Sequence, residues 1–160
     1  MRPLEEARAE VLAAMRRLES ESVDITDAGG RILAEDAVAP NAVPPFANSA
    51  MDGFAVIASD LERMPVRLQI LEDVPAGSVA SQAVTPGAAI KIMTGAPMPV
   101  GADTVVKVEL TRQPESETVE ILEAVARGEA VRPAGSDFAA GTTVLAAGSH
   151  LGAAELALLS

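Results

Sequence analysis

The sequence contains no cysteine, no tryptophan and no tyrosine, and a single histidine, among its 160 residues. Without cysteine there are no disulfides, no thiolate nucleophiles and no Cys-ligated zinc or iron–sulfur centres, a pattern that suits a reducing, cytoplasmic setting. Aromatic residues are 2% of the chain, three of them Phe, which argues against recognition by stacking on bases or sugars. His150 has no second imidazole to share a metal with and sits beside Gly148 in a turn-like stretch, so surface placement is the simpler reading. Positive charge is also scarce: 12 Lys and Arg face 23 Asp and Glu, a formal charge of −11, and no basic cluster exceeds Arg16-Arg17. Such a chain repels polyanions, so no nucleic acid and no membrane surface is expected as partner. No run approaches the ~18 uninterrupted apolar residues of a membrane span, and the N-terminus is amphipathic and acidic, unlike a secretory leader.

What the chain does have is 49% hydrophobic residues, mostly Ala, Val, Leu and Ile with scattered Met as gap filler. That is enough for one ordinary domain or two small ones. Leu4, Ala7, Val11, Ala14, Met15 and Leu18 recur at helical spacing after Pro3, which predicts an amphipathic helix over about 3–19, with Arg16 and Arg17 on its polar face. Its apolar stripe would pack on its own domain or on a second subunit. A short second helix, weakened by Gly29-Gly30, is expected near 26–36.

From Phe54 the texture turns to short strands, at 54–58, 66–71, 89–93, 104–110 and 119–122, punctuated by Gly and Pro. That spacing suits a small β-rich barrel or sandwich. A further strand is expected at 142–145, a turn at Gly148, and an apolar helix over 153–159 that lacks a C-cap, as in a chain that continues. Glu72 and Asp73 read as a solvated strand end.

Two segments stand out chemically. In Pro44-Pro45-Phe46-Ala47-Asn48-Ser49-Ala50-Met51-Asp52-Gly53-Phe54 one acid is set among turn-forming and apolar residues, and it reads either as a held functional carboxylate or as the close of a turn. In Ile92-Met93-Thr94-Gly95-Ala96-Pro97, followed by Gly101-Ala102-Asp103, the Thr94 hydroxyl and an unobstructed Gly95 amide could face an oxyanion. A stiff hairpin explains that segment equally. No strand, Gly-rich turn and helix unit is present to cradle a phosphate.

Taken in order with Gly30-Arg31-Ile32-Leu33-Ala34-Glu35-Asp36 and Arg132-Pro133-Ala134-Gly135, these blocks closely resemble the N-terminal portion of the molybdopterin molybdenumtransferases, the MoeA and gephyrin E-domain family. The resemblance spans essentially the whole chain. It implies an α+β, mainly β architecture in which a β-rich domain (about 41–126) is inserted into a split helical dimerisation domain (about 1–40 with 127–160). The pterin-binding and C-terminal domains of that family lie downstream of the part resembled here.

The activity implied is insertion of molybdate into adenylylated molybdopterin with release of AMP, assisted by Mg²⁺, in a homodimer. This portion alone is expected to be inactive. The pathway's adenylyltransferase is a further candidate partner. By resemblance, Asp52 and Thr94 are the catalytic candidates, Asp52 also the Mg²⁺ ligand, and Gly95, Ser49 and Asp103 substrate-binding candidates. Turn capping explains Ser49 as well, and strand capping explains Asp103.

The chain departs from the family pattern in four places. Phe54 stands where Tyr is common, Gly29 replaces a larger apolar residue, Ser136 stands where an acid is common, and Gly152-Ala153 lacks a proline. Two other readings remain: a non-catalytic stand-alone dimerisation or assembly module, and a carrier domain modified at Lys107. The second needs Lys107 at a hairpin tip, whereas Val106, Val108 and Leu110 alternate around it as in a strand.

Overall fold

A computed structural model describes residues 3–16 and 18–160. In chain order the elements are α1 (Leu4–Ala14), β1 (Ala37–Val38), β2 (Asn48–Ser49), β3 (Gly53–Val56), β4 (Val66–Val74), β5 (Ala88–Ile92), β6 (Thr104–Lys107), β7 (Thr111–Glu115), β8 (Thr118–Ile121), β9 (Val131–Arg132), β10 (Thr143–Leu145) and α2 (Ala153–Leu159). The mainly β character expected from the sequence is therefore observed. The chain divides into two compact units, residues up to Ala37 with Thr143–Ser160, and Val38–Thr142. Residues 127–142 fall in the larger unit, where β9 pairs with β2 and the Val105 amide donates to the Glu129 carbonyl at 3.0 Å.

The larger unit is built on one curled six-stranded sheet, ordered β6-β3-β5-β4-β8-β7. β4 and β5 run parallel, and the other neighbours are antiparallel. β3 and β5 are central and covered on both sides, which is why Phe54-Ala55-Val56 and Ala88-Ala89-Ile90 are continuous apolar runs. Phe54, Val56, Leu68, Ala89, Val106, Val119 and Ile121 form the core on one face. On the other, Ala55, Val74, Ile90, Ile92 and Val105 pack with Val84 and Ala96. Burying each of the larger side chains contributes about 1.5–3 kcal/mol.

Toward the sheet edge, Glu120 on β8 lies opposite Arg67 of β4 and Arg112 of β7. Both guanidinium groups bond its nearly buried carboxylate, Arg67 Nε at 3.2 Å and Arg112 Nε at 3.0 Å. Those donors, Arg112 first, hold its carboxyl below the usual carboxylate range. β7 escapes sequence reading because Pro114 interrupts it, a tolerable residue only on an edge strand, and the register shifts there between Arg112 and Glu115.

In the smaller unit two expectations change. The first helix stops at Ala14, and Met15 is extended, with φ −79° and ψ 133°. None of its residues is buried, and Leu4, Val11 and Leu12 are 80%, 56% and 59% exposed. With none of its residues buried, propensity has to carry most of any further turn, and short helices are marginal on propensity alone. Arg17, expected on its polar face, lies outside the described residues.

The second helix shrinks to a single 3₁₀ turn, Ile25–Asp27. Gly30 follows at φ +78°, and the backbone of 31–33 then pairs with 148–151 instead, through Leu33 N to Ser149 O and Leu151 N to Arg31 O, both 2.8 Å. Asp36 accepts the Ala147 amide at 2.7 Å, β1 pairs with β10, and the turn at Gly148 forms with φ +88°. At α2, the Glu155 carboxylate accepts the Gly152 amide at 3.0 Å, satisfying one donor at the helix start. His150 is exposed and bridges Ile32 through the backbone.

Candidate functional site

The segment before β3 is fixed by its own polar groups. Ser49 is buried, and its hydroxyl donates to the Met51 carbonyl at 2.5 Å while the Asn48 amide side chain donates to Phe46 O at 3.3 Å. The β2 backbone is held on the 94–97 turn: Ser49 N donates to Ala96 O at 3.0 Å, and Gly95 N donates to Ser49 O at 2.8 Å. These contacts carry the chain to Asp52, whose carbonyl accepts the Val108 amide at 3.1 Å. The expected strand 104–110 bends there, ending at Lys107 in a 3₁₀ turn over Val108–Leu110. Lys107 is therefore the last residue of β6, not a hairpin tip.

Gly53 is required in place. A Cβ at that position would lie 2.1 Å from Val106 O, so β3 and β6 approach too closely for any side chain.

Asp52 and Thr94, 42 positions apart, meet directly. Thr94 gives both donors to one oxygen of Asp52: its amide and its hydroxyl each reach Oδ1 at 2.8 Å. Both donors, the backbone one foremost, hold the Asp52 carboxyl below its ordinary value of 3.8, so it is ionised at neutral pH. Oδ2 takes no hydrogen bond among the described residues. Both side chains are exposed. Beside them lies an open depression of about 170 Å³, lined by Asp52, Gly53, Phe54, Lys91, Ile92, Met93 and Val108.

The other candidates sit differently. The Gly95 amide expected to face an oxyanion is spent on Ser49 O, although Gly95 does supply the φ of +83° that the turn requires. The Ser49 hydroxyl is buried and satisfied within its own turn. Asp103 is at the opposite end of the β3–β6 pair, since Val56 faces Thr104 while Gly53 faces Lys107. There Asp103 Oδ1 accepts the Ala58 amide at 2.7 Å and Oδ2 pairs with Arg127 Nε at 3.0 Å. The Ser49 hydroxyl, the Gly95 amide and both Asp103 oxygens are thus engaged within the fold.

Lys91, Met93 and Val108 are not among the site candidates read from the sequence. The signal for the first two was the two-residue period of β5, which puts Lys91 and Met93 on the face of Phe54, opposite to Ile90 and Ile92.

Taken together, fold and site define a β-rich unit that presents an ionised, half-liganded carboxylate at the end of a curled sheet. Comparison with known proteins gives this arrangement its relatives. The profile of the MoeA N-terminal region (domain I and II) matches residues 2–160. Molybdopterin molybdenumtransferase 2 of Mycobacterium tuberculosis is 41% identical over 99% of this chain and 40% of its own length. The molybdopterin molybdenumtransferase of Nostoc sp. is 42% identical over 89% of this chain and 33% of its own. A crystal structure of the molybdopterin biosynthesis moeA protein from Pyrococcus horikoshii OT3 superposes with a TM-score of 0.93 at 37% identity, covering 98% of this chain and 42% of that one. The chain therefore belongs to the MoeA family, matching its N-terminal region, and spans about 40% of the length of the M. tuberculosis relative.

Proposed function

We propose that this chain contributes one side of a composite active site that inserts molybdate into adenylylated molybdopterin and releases AMP. The observation that carries the reading is the Asp52 carboxylate, locked through Oδ1 by both donors of Thr94 and left open at Oδ2. The names of the relatives give the reaction class. The pterin pocket itself is assigned to sequence beyond that resembled here, so Asp52 and Thr94 act on a substrate held elsewhere, and this chain alone is inactive.

No group of three or more carboxylate or imidazole ligands gathers among the described residues. A lone carboxylate oxygen nevertheless fits Mg²⁺, which commonly takes one or two carboxylates and fills its remaining positions with water and substrate oxygens. Asp52 Oδ2 would be the oxygen that holds it, and the bound ion would offset charge on the adenylyl phosphate as AMP leaves. Thr94 keeps the carboxylate ionised and oriented.

The homodimer belongs to the same proposal. The exposed apolar stripe of α1, with Leu4, Val11 and Leu12 open to solvent, is the surface that a second copy would cover, in a split helical domain interrupted by the β-rich one. The reading also keeps the protein in the cytoplasm, and no helix among the described residues is long and apolar enough to cross a membrane.

The test uses a longer protein that adds the downstream domains to this chain, assayed for molybdate-dependent AMP release. Asp52→Ala should abolish release without changing the circular-dichroism spectrum. Full activity in that variant would remove Asp52 from the mechanism and favour the non-catalytic assembly module.

A further inference from the structure

Phe54 on β3, Lys91 on β5 and Asp73 on β4 form one cross-strand row: Phe54 faces Lys91, and Asp73 faces Lys91 on the other side. Asp52 precedes Phe54 by two positions, which makes it a diagonal neighbour of Lys91, at about 7–8 Å in a regular antiparallel pair. Both residues line the same depression, whose exposed wall is almost wholly apolar. Yet the two are not paired. The Lys91 ammonium goes instead to Asp73 Oδ2, at 2.9 Å.

That choice of partner separates the charges at the site. Asp73 draws the ammonium to the β4 side, so Asp52 Oδ2 stays open. An ammonium has three donors, and Asp73 is the one hydrogen-bond partner of Lys91 Nζ among the described residues, leaving two for a ligand. The pair is partly exposed, with the Lys91 side chain at 33% and Asp73 at 54%, so its hold on the lysine is weak enough to be shared with an incoming anion. On a chain of net charge −11, a cation kept beside the open carboxylate is a local exception. The depression is also well below the roughly 300–1,000 Å³ of a site that encloses a whole organic ligand, and so fits one group of a larger molecule.

We propose that Lys91 is the oxyanion-binding residue of the Asp52 site, taking a tetrahedral dianion, a phosphate ester or molybdate, across the depression from Asp52. This deepens the functional reading above and rests on it. Asp73 is the positioning residue that keeps the ammonium from collapsing onto Asp52.

The test is a titration of the 160-residue chain with AMP and, separately, with sodium molybdate at low ionic strength, followed by ¹H–¹⁵N spectra. Saturable shifts are expected at Gly53, Phe54, Lys91 and Ile92 in at least one arm, and the arm that responds identifies the source of the oxyanion. Lys91→Met should weaken binding at least about tenfold, the loss of one charged hydrogen bond. Lys91→Arg should stay within about threefold, because the charge and donors persist. Lys107→Met, which removes a nearby cation opposite Gly53, should change affinity less than about twofold; if Lys91→Met does not fold, Lys91→Gln serves in its place.

Absence of saturable shifts in both arms, equal affinity in the charge-neutral Lys91 variant, or an equal loss in Lys107→Met overturns the proposal. If that happens while Asp52→Ala still abolishes AMP release in the longer protein, the oxyanion site falls and the functional reading stands. If Lys91 binds as expected but Asp52→Ala retains full activity, the functional reading falls instead.

Discussion

Asp52 and Asp103 cap opposite ends of one antiparallel strand pair, and each accepts a backbone amide through Oδ1 from a distant segment, Thr94 at 2.8 Å and Ala58 at 2.7 Å. They part at the second oxygen. Asp103 Oδ2 is closed by Arg127 at 3.0 Å, whereas Asp52 Oδ2 takes no partner among the described residues and opens on a depression. Two acids in similar local settings are thus made structural and available by a single guanidinium. What marks a candidate site is the unspent acceptor, more than the acid or its loop.

The comparison can be broken most forcefully at the open end. In the longer protein, Asp52→Ala should lower molybdate-dependent AMP release by about 10²–10⁴-fold, because losing the carboxylate that would hold Mg²⁺ forfeits several kcal/mol of transition-state charge stabilisation, while Asp103→Ala leaves turnover per folded molecule unchanged. Steady-state assays on both variants, normalised to folded protein, decide this. Next in size is Gly53→Ala, whose Cβ meets Val106 O. Forcing the strands apart should cost about 1–3 kcal/mol in urea unfolding and displace Asp52 as well.

At the closed end, Asp103→Ala should cost about 1–2 kcal/mol, because the Ala58 amide and Arg127 lose their acceptor. An unfolding midpoint equal to wild type would show that the Ala58 and Arg127 contacts add nothing to the fold. The smallest effect is on titration. Asp52 ionises below its ordinary value of 3.8 because Thr94 donates to its charged form, so the stability it contributes is present above that ordinary value and lost as pH falls through the lower folded one. Thr94→Val keeps the backbone donor and removes the hydroxyl, and should move the Asp52 carboxyl part of the way back up, as read by ¹³C chemical shift. An unchanged titration would mean that the hydroxyl adds nothing to the backbone contact.

The parts of the fold legible in the sequence were those whose neighbours impose a period. Val66, Leu68 and Ile70 alternate because one face of β4 is buried, and α2 shows its apolar run directly. The two-residue strands β1, β2 and β9 left no pattern, since their pairing is decided by partners far along the chain. The helical reading runs past the end of α1 because its stripe is helical in period, while none of its residues is buried. At 26–36 the helical reading lost to Gly30, whose positive φ turns the backbone toward 148–151.

The site divides in the same way. Asp52 and Thr94 could be named from their blocks, but their contact joins residues 42 apart. The Gly95 amide looked free because its acceptor, Ser49 O, is supplied by another strand. Lys91 is masked within an apolar strand, and Asp73, exposed near the end of β4 as expected, is also its ion-pair partner.

Because Asp52 stands at the entry to β3 and Lys91 on the neighbouring β5, itself tied through Asp73 to the parallel β4, a ligand between Asp52 and Lys91 would work as a staple. It could bind only when those strands are assembled, and each molecule bound would oppose their separation. Heating the chain with increasing amounts of such a ligand would therefore raise the melting temperature of the whole β-rich unit, with a gain of about 2.7 kcal/mol at a hundred times the dissociation constant.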